Sequence, residues 1–160
     1  MDARSREALA ALVQEGTVAA LGTLHEGSPF VSMVPFALAA DGKIFYVHVS
    51  GLAQHTQDMS ADPRIGLLVM ESEGAGTPPQ ALARLSIQGR AREIPRDSSE
   101  YAVARDIYIR RFPDAEPMFG LPDFSLFAIT PLSARFIGGF ARAFSLTPDD
   151  LAAAIAGRRA

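Results

Sequence analysis

The stretch Tyr46-Val47-His48-Val49-Ser50-Gly51-Leu52-Ala53-Gln54-His55-Thr56 concentrates the residue types best able to do chemistry in this chain. A strand run ends at Val49, the chain turns at Ser50-Gly51, and a helix is predicted over 52–59. Such a joint points free backbone N–H groups and the positive end of a helix dipole at the strand end, which favours an anion. Ser50 offers a hydroxyl in the turn. His55 and Thr56 add a switchable cation and a second hydroxyl in the first turns of the helix. The pattern reads either as a phosphate cradle or as a serine that caps its helix.

Two further histidines are placed differently. His48 shares a strand face with Ile44 and Tyr46, and reads either as a partly buried, hydrogen-bonded histidine or as an axial ligand to a haem iron. His25 falls in the turn His25-Glu26-Gly27-Ser28 and is expected to be exposed. No pair has the H-x3-H spacing of a zinc site, and no metal site is expected. Cysteine is absent, which removes thiolate nucleophiles, disulfides and iron–sulfur ligation. No nucleophile elbow, P-loop or dinucleotide fingerprint is present. Gly138-Gly139, flanked by Phe136 and Phe140, reads as a bend or close backbone approach. Seven arginines (84, 90, 92, 96, 105, 110 and 111) crowd one stretch with four acids among them. They read as a solvated face with ion pairs, or as one or two anion holders within it.

Charge and composition bound the partners. The net charge is −3, so nucleic acid and anionic membranes gain no global attraction. No apolar run reaches the ~18 residues of a membrane span, and MDARSREALA lacks the apolar core of a signal peptide, so a cytoplasmic protein is expected. A length of 160 residues, 48% hydrophobic and 21% charged, fits one globular domain over 1–160 with a core of its own.

The elements that must position these residues can be traced from pattern. A first helix is capped by Ser5 and stopped by Gly16. Residues 17–24, 30–38 and 43–49 read as three antiparallel strands in a meander, with Ala40-Asp41-Gly42 as a hairpin turn. Strands are predicted at 65–70, 82–94, 124–129 and 133–137, with a wet face along Ser86, Gln88, Arg90 and Arg92. Asp97 and Glu100 look like a capping box for a helix to about Arg111, and Asp123 like a local cap. Thr147-Pro148-Asp149-Asp150 opens a last helix, closed by Gly157 and Arg158-Arg159. The class is therefore mainly β with peripheral helices, a six- to seven-stranded antiparallel barrel.

The stretches 22–69, 81–91 and 123–143, with SGLAQHTQDMSADPR the most specific run, resemble the pyridoxamine 5′-phosphate oxidase-related FMN-binding split-barrel superfamily. Within it, the chain is most similar to the heme-utilisation (HugZ-like) branch. The resemblance implies a split barrel and a homodimer with two FMN sites at the subunit interface. Ser32, Met33, Val34 and Pro35 would run beside the isoalloxazine ring. Ser50, Gln54, His55 and Thr56 would surround the phosphate, and Arg84 would reach the flavin from the neighbouring subunit. The implied function is flavin-dependent redox chemistry on a small-molecule substrate, with no residue assigned as acid–base catalyst. The alternatives are a haem-binding or haem-degrading protein using His48 or His55 on iron, and a non-catalytic FMN carrier or sensor. The second strand lacks the basic residues, and the C-terminal segment the Arg-rich signature, of the oxidases that act on pyridoxamine phosphate, which disfavours vitamin B6 oxidation. Longer heme-utilisation proteins carry an additional C-terminal domain that these residues do not include.

Overall fold

A computed structural model describes residues 1–74, 76–139 and 142–157; the Phe140 and Arg158-Arg159 expectations lie outside the described residues. Helix α1 (Ala3–Glu15) is followed by β1 (Val18–His25), β2 (Ser28–Pro35), β3 (Ala37–Leu38) and β4 (Phe45–Ser50). Then come α2 (Gln54–Ala61), β5 (Arg64–Met70), β6 (Arg84–Glu93) and α3 (Ser99–Arg111). A 3-10 stretch (Pro113–Gly120), β7 (Phe124–Ile137), β8 (Ala143–Leu146) and α4 (Pro148–Ala156) complete the order.

The sheet runs β2-β1-β5-β6-β7-β4-β3, with β8 on β7, and every pair is antiparallel. The two ends of this path are one piece of chain. Residues 28–35 pair with β1, and after Phe36 the same run pairs with β4 through Ala37↔Tyr46 and Leu38↔Phe45. The bend at Phe36 closes the sheet into a split barrel, as the fold class expected. Phe36 is 1% exposed and still donates its N–H to Thr17 O at 3.1 Å. The expected 17–49 meander is corrected here: β4 pairs with β7 and the short β3, not with β2. The run 30–38 looks continuous because both halves are apolar; its division follows from which neighbour supplies the ladder.

Two cores result from faces buried on both sides of β4. Phe45, Val47 and Val49 point into the barrel with Leu21, Leu67, Ile87, Phe127 and Ile129. Tyr46, on the other face, packs with Leu126 and Ala128 under Tyr101, Ala104 and Tyr108 of α3 and Phe119 of the 3-10 stretch. That doubly buried pattern is why β4 reads as a continuous run of β-branched and aromatic residues. The two strands expected at 124–129 and 133–137 are one, β7, with a register shift opposite Gln88/Gly89 where Pro131 brings no N–H to the ladder.

Helix ends depart from the expected caps by a few residues. Asp2, not Ser5, caps α1, its carboxylate accepting from the Ser5 N–H at 2.8 Å. Ser98, not Asp97, caps α3. Thr147 and Asp150 do form a reciprocal capping box on α4. Gly42 takes φ +73 in the β3–β4 turn, and a Cβ there would sit 3.3 Å from Ile155, so the turn rests directly on α4.

Candidate functional site

β4 ends at Ser50, and α2 begins four residues later with Ala53 as its N-cap and no side-chain cap. Ser50 is therefore not the helix cap. Its hydroxyl accepts from the Leu52 N–H at 3.2 Å and donates to Asp123 Oδ2 at 2.9 Å. The Gly51 N–H also donates to the Asp123 carbonyl. Asp123 is thus a long-range partner of the corner rather than a local cap. Thr56 is buried, and its hydroxyl donates to the Ser50 carbonyl at 2.7 Å, which pins the first turn of α2 to the end of β4.

From this joint α2 crosses the end of the barrel, with Met59 in the core. Its third buried residue, beside Thr56 and Met59, is a charge. Asp58, 3% exposed, accepts from Thr23 Oγ1 at 2.8 Å, His25 Nδ1–H at 2.8 Å and Gln54 Nε2 at 2.9 Å. Burial raises the carboxyl, and the three donors outweigh it, leaving the group below the usual carboxylate range. His25 is exposed, as expected, but it is the last residue of β1 rather than a turn residue, and its ring is tied to α2 through Asp58.

One turn earlier, His55 Nδ1 stands 3.0 Å from Ser32 Oγ. Burial lowers the His55 pKa and the nearby Asp58 partly offsets this, so the ring is neutral at neutral pH. Strand alternation divides the 32–35 segment. Val34 is in the barrel core and Ser32 is on that same side facing α2, while Met33 stands 63% exposed on the outer face. Ser32, Ser50, Gln54, His55 and Thr56 are thus brought together around one end of the barrel. Arg84 is not. It pairs with Met70 and Ile137, at the far end of β5 from α2, roughly 20 Å along the strand, and donates to Leu82 O at 3.1 Å.

His48 lies apart from this corner. It is 6% exposed on the outer face of β4, with its ring stacked on Phe119 at 3.7 Å and 2° between planes. Tyr108 and Phe124 pack on it as well, and neither ring nitrogen has a hydrogen-bond partner among the described residues. The hydrogen-bonded reading is corrected: among the described residues the ring is packed between aromatic side chains and its nitrogens are unpaired. Burial, with Arg96 nearby, lowers its pKa to about 4.

The arginine-rich stretch is mostly spent on the fold. Arg92 pairs with Glu100 at 2.7 Å, Arg96 donates to Leu121 O and Phe124 O, and Arg111 donates to Gly16 O at 2.7 Å. Asp58 and Asp123 are the site residues that sequence reading missed. Asp58 carries a local signal, four residues after Gln54 on the same helix face. Asp123 meets a residue 73 positions away and carries none.

Comparison with known proteins places this geometry. The family described as Pyridoxamine 5′-phosphate oxidase matches residues 5–138. Heme oxygenase HutZ of Vibrio cholerae is 29% identical over 86% of this chain and 78% of its own length. The chloroplastic non-canonical heme oxygenase HOZ of Arabidopsis thaliana is 34% identical over 81% of this chain but only 38% of its own length. A heme binding protein from Mycobacterium smegmatis superposes with a TM-score of 0.83 at 27% identity, covering 96% of this chain and 62% of that one. A barrel closed by one bent strand, a helix laid across its end and this similarity along most of the sequence lead to one conclusion: the chain belongs to the pyridoxamine 5′-phosphate oxidase-like split-barrel superfamily, in its heme-utilisation branch.

Proposed function

We propose that this protein binds haem beside the Ser32–His55 pair, in a site shared by two copies of the chain. The carrying observation is the similarity to HutZ along most of the sequence, joined to a histidine suited to iron. Burial disfavours the His55 imidazolium, and the neutral ring has one nitrogen with a lone pair to give. The tautomer that donates Nδ1–H to Ser32 Oγ leaves Nε2 for the metal. Of the two histidines the sequence offered, His55 is better placed than His48, whose ring is stacked beneath Phe119. Haem, when bound, supplies the iron and its oxygen and electron chemistry. The chain's own residues hold and orient it: Ser32 fixes the His55 ring, and Asp58 fixes the helix that carries it.

The flavin expectation has less behind it. The Ser50 hydroxyl, intended for a phosphate, is donated to the Asp123 carboxylate, and a phosphate there would face a like charge. Thr56 is turned inward to the Ser50 carbonyl. Backbone N–H groups at the uncapped start of α2 are what remains in favour of an anion.

The shared site rests on the outer face of β2, β1 and β5. Val18, Val31, Met33 and Met70 are each close to half exposed or more, and Ala20, Gly22, Gly66 and Leu68 lie between them in register. Large apolar side chains around the small Ala20, Gly22 and Gly66 suit a second, identical sheet, and a patch of this kind marks an interaction surface. Arg84 is on this same face, one register row from Leu68, where it could reach a partner's site.

Hemin titration of the purified protein tests the reading. A saturable Soret band that shifts or disappears in His55→Ala and survives in His48→Ala is the expected result. Loss of that band with iron release on adding a reductant in air would extend it to haem degradation. Purification with bound flavin and no saturable hemin binding would overturn it in favour of the FMN reading.

A further inference from the structure

A cavity of about 370 Å³ opens at the seam where the bent strand closes the barrel, far from α2. Its walls are Phe36, Leu38, Ile107 and Ile155, and Arg110 and Arg111 stand at its edge. Among the described residues no acidic side chain lines it. The volume is within the range that buries most of a small ligand, and apolar walls with a few convergent polar groups are the usual make-up of such sites.

Three observations give the cavity a chemical preference. Arg110 is exposed and forms no ion pair among the described residues, where its side chain makes one long bond, 3.4 Å, from Nε to the Asp106 carbonyl. Arg111, beside it, has one Nη on Gly16 O, which fixes the second guanidinium in place. The third lies in the strand. Ala39 N–H donates to Ile44 O, so in the antiparallel β3–β4 ladder residues 39 and 37 face β4 and Leu38 does not. Leu38 therefore turns its N–H and C=O to the side where β1 has already ended, and Leu38 lines the cavity. An apolar slot thus carries at one edge a fixed cation, a cation without an ion pair and a strand amide turned away from β4, with no acid among its described lining residues.

We infer that this seam cavity binds a small amphipathic carboxylate, its hydrocarbon tail against Phe36, Leu38, Ile107 and Ile155 and its carboxylate at Arg110. A neutral tail alone would leave the guanidinium and amide to water. A cation would be repelled by both arginines. The site shares no residue with the Ser32–His55 corner, so it stands or falls separately from the haem reading.

Octanoate is the probe, titrated into isotope-labelled protein with the backbone amides followed by NMR, and octylammonium is the control. The expected result is saturable shifts centred on Leu38 and Ile107 with octanoate, none with octylammonium, and binding about tenfold weaker in Arg110→Gln. Arg110 is exposed, so that variant keeps its fold, and an unchanged spectrum away from the seam verifies this. Shifts that do not saturate, equal binding of octylammonium, or an Arg110→Gln variant that binds octanoate like the parent would each overturn the assignment.

Discussion

His25 Nδ1 stands 2.8 Å from Asp58 Oδ1, joining the half-exposed end of β1 to a carboxylate of α2 that is 3% exposed. Thr23 and Gln54 donate to the same carboxylate, so the last residues of β1 and the helix α2 meet at one side chain. The helix that carries His55 is held against the barrel by this contact on one side of Asp58 and by Met59 in the core on the other. A buried charge is tolerable only while it is fully hydrogen-bonded, and removing the acceptor strands the buried Thr23 hydroxyl and unties His25 and Gln54 from α2.

Asp58→Ala should therefore destabilise the fold by roughly 2–3 kcal/mol, measured by urea unfolding at neutral pH. The pH profile separates the charge from mere packing. The folded-state pKa of Asp58 is below its unfolded value of 3.8. Its contribution is complete above that pH and is lost as the pH falls through the lower, folded value. The stability gap between parent and Asp58→Ala should hold from pH 7 to about 5 and narrow below about 4.

His48 gives the opposite case, a buried polar ring with no partner. Its folded pKa of about 4 is below the ordinary 6.5, because burial disfavours the imidazolium. Between those values the unfolded chain binds a proton that the folded one does not, so stability falls as the pH drops from about 6.5 to about 4. The loss from this one group is of order 3 kcal/mol. His48→Phe keeps a flat ring against Phe119 and loses nothing that was hydrogen-bonded. It should match or exceed the parent at pH 7 and lose less stability on acidification to pH 4, read as the melting temperature across that range.

Much of this fold is legible in the sequence because the barrel strands alternate or run apolar according to how many faces they bury. β6 shows Ser86, Gln88, Arg90 and Arg92 as an exposed edge to its pattern, and β4 shows a continuous apolar run because α3 covers its second face. What could not be read is pairing across distance. Phe36 sends one apolar run to two different neighbours, and nothing local separates Pro35 from Ala37. The same holds at the site. SGLAQHT placed a strand–turn–helix joint and gathered Ser50, His55 and Thr56 there, but the partners that decide its chemistry, Asp123 on Ser50 and Ser32 on His55, come from 73 and 23 residues away. A local pattern can propose an anion cradle; only the fold shows a carboxylate already in it.

Ser32→Ala tests the orientation of His55 without touching iron. If Nδ1–H is held by Ser32 Oγ at 3.0 Å, the loss of that acceptor frees the ring and the tautomer. Partners that orient a metal-ligating histidine commonly contribute ten- to a hundredfold in affinity, so hemin should bind about tenfold more weakly with a displaced Soret maximum. An unaltered spectrum and affinity would place haem elsewhere.

Met33→Asp addresses the outer face. Met33 is 63% exposed and stands opposite Ala20, whose other neighbour is Leu68, at the middle of the apolar rows of β2, β1 and β5. In a lone chain the substitution meets water and leaves stability within about 0.5 kcal/mol. In a two-fold pairing of this face it would set two carboxylates against apolar surface, each desolvated without a partner. Sedimentation of the parent should give twice the 17.1 kDa mass of the chain, and the variant the single mass with an unchanged melt. A parent that sediments as one chain would remove the shared site and with it any role for Arg84 across the interface.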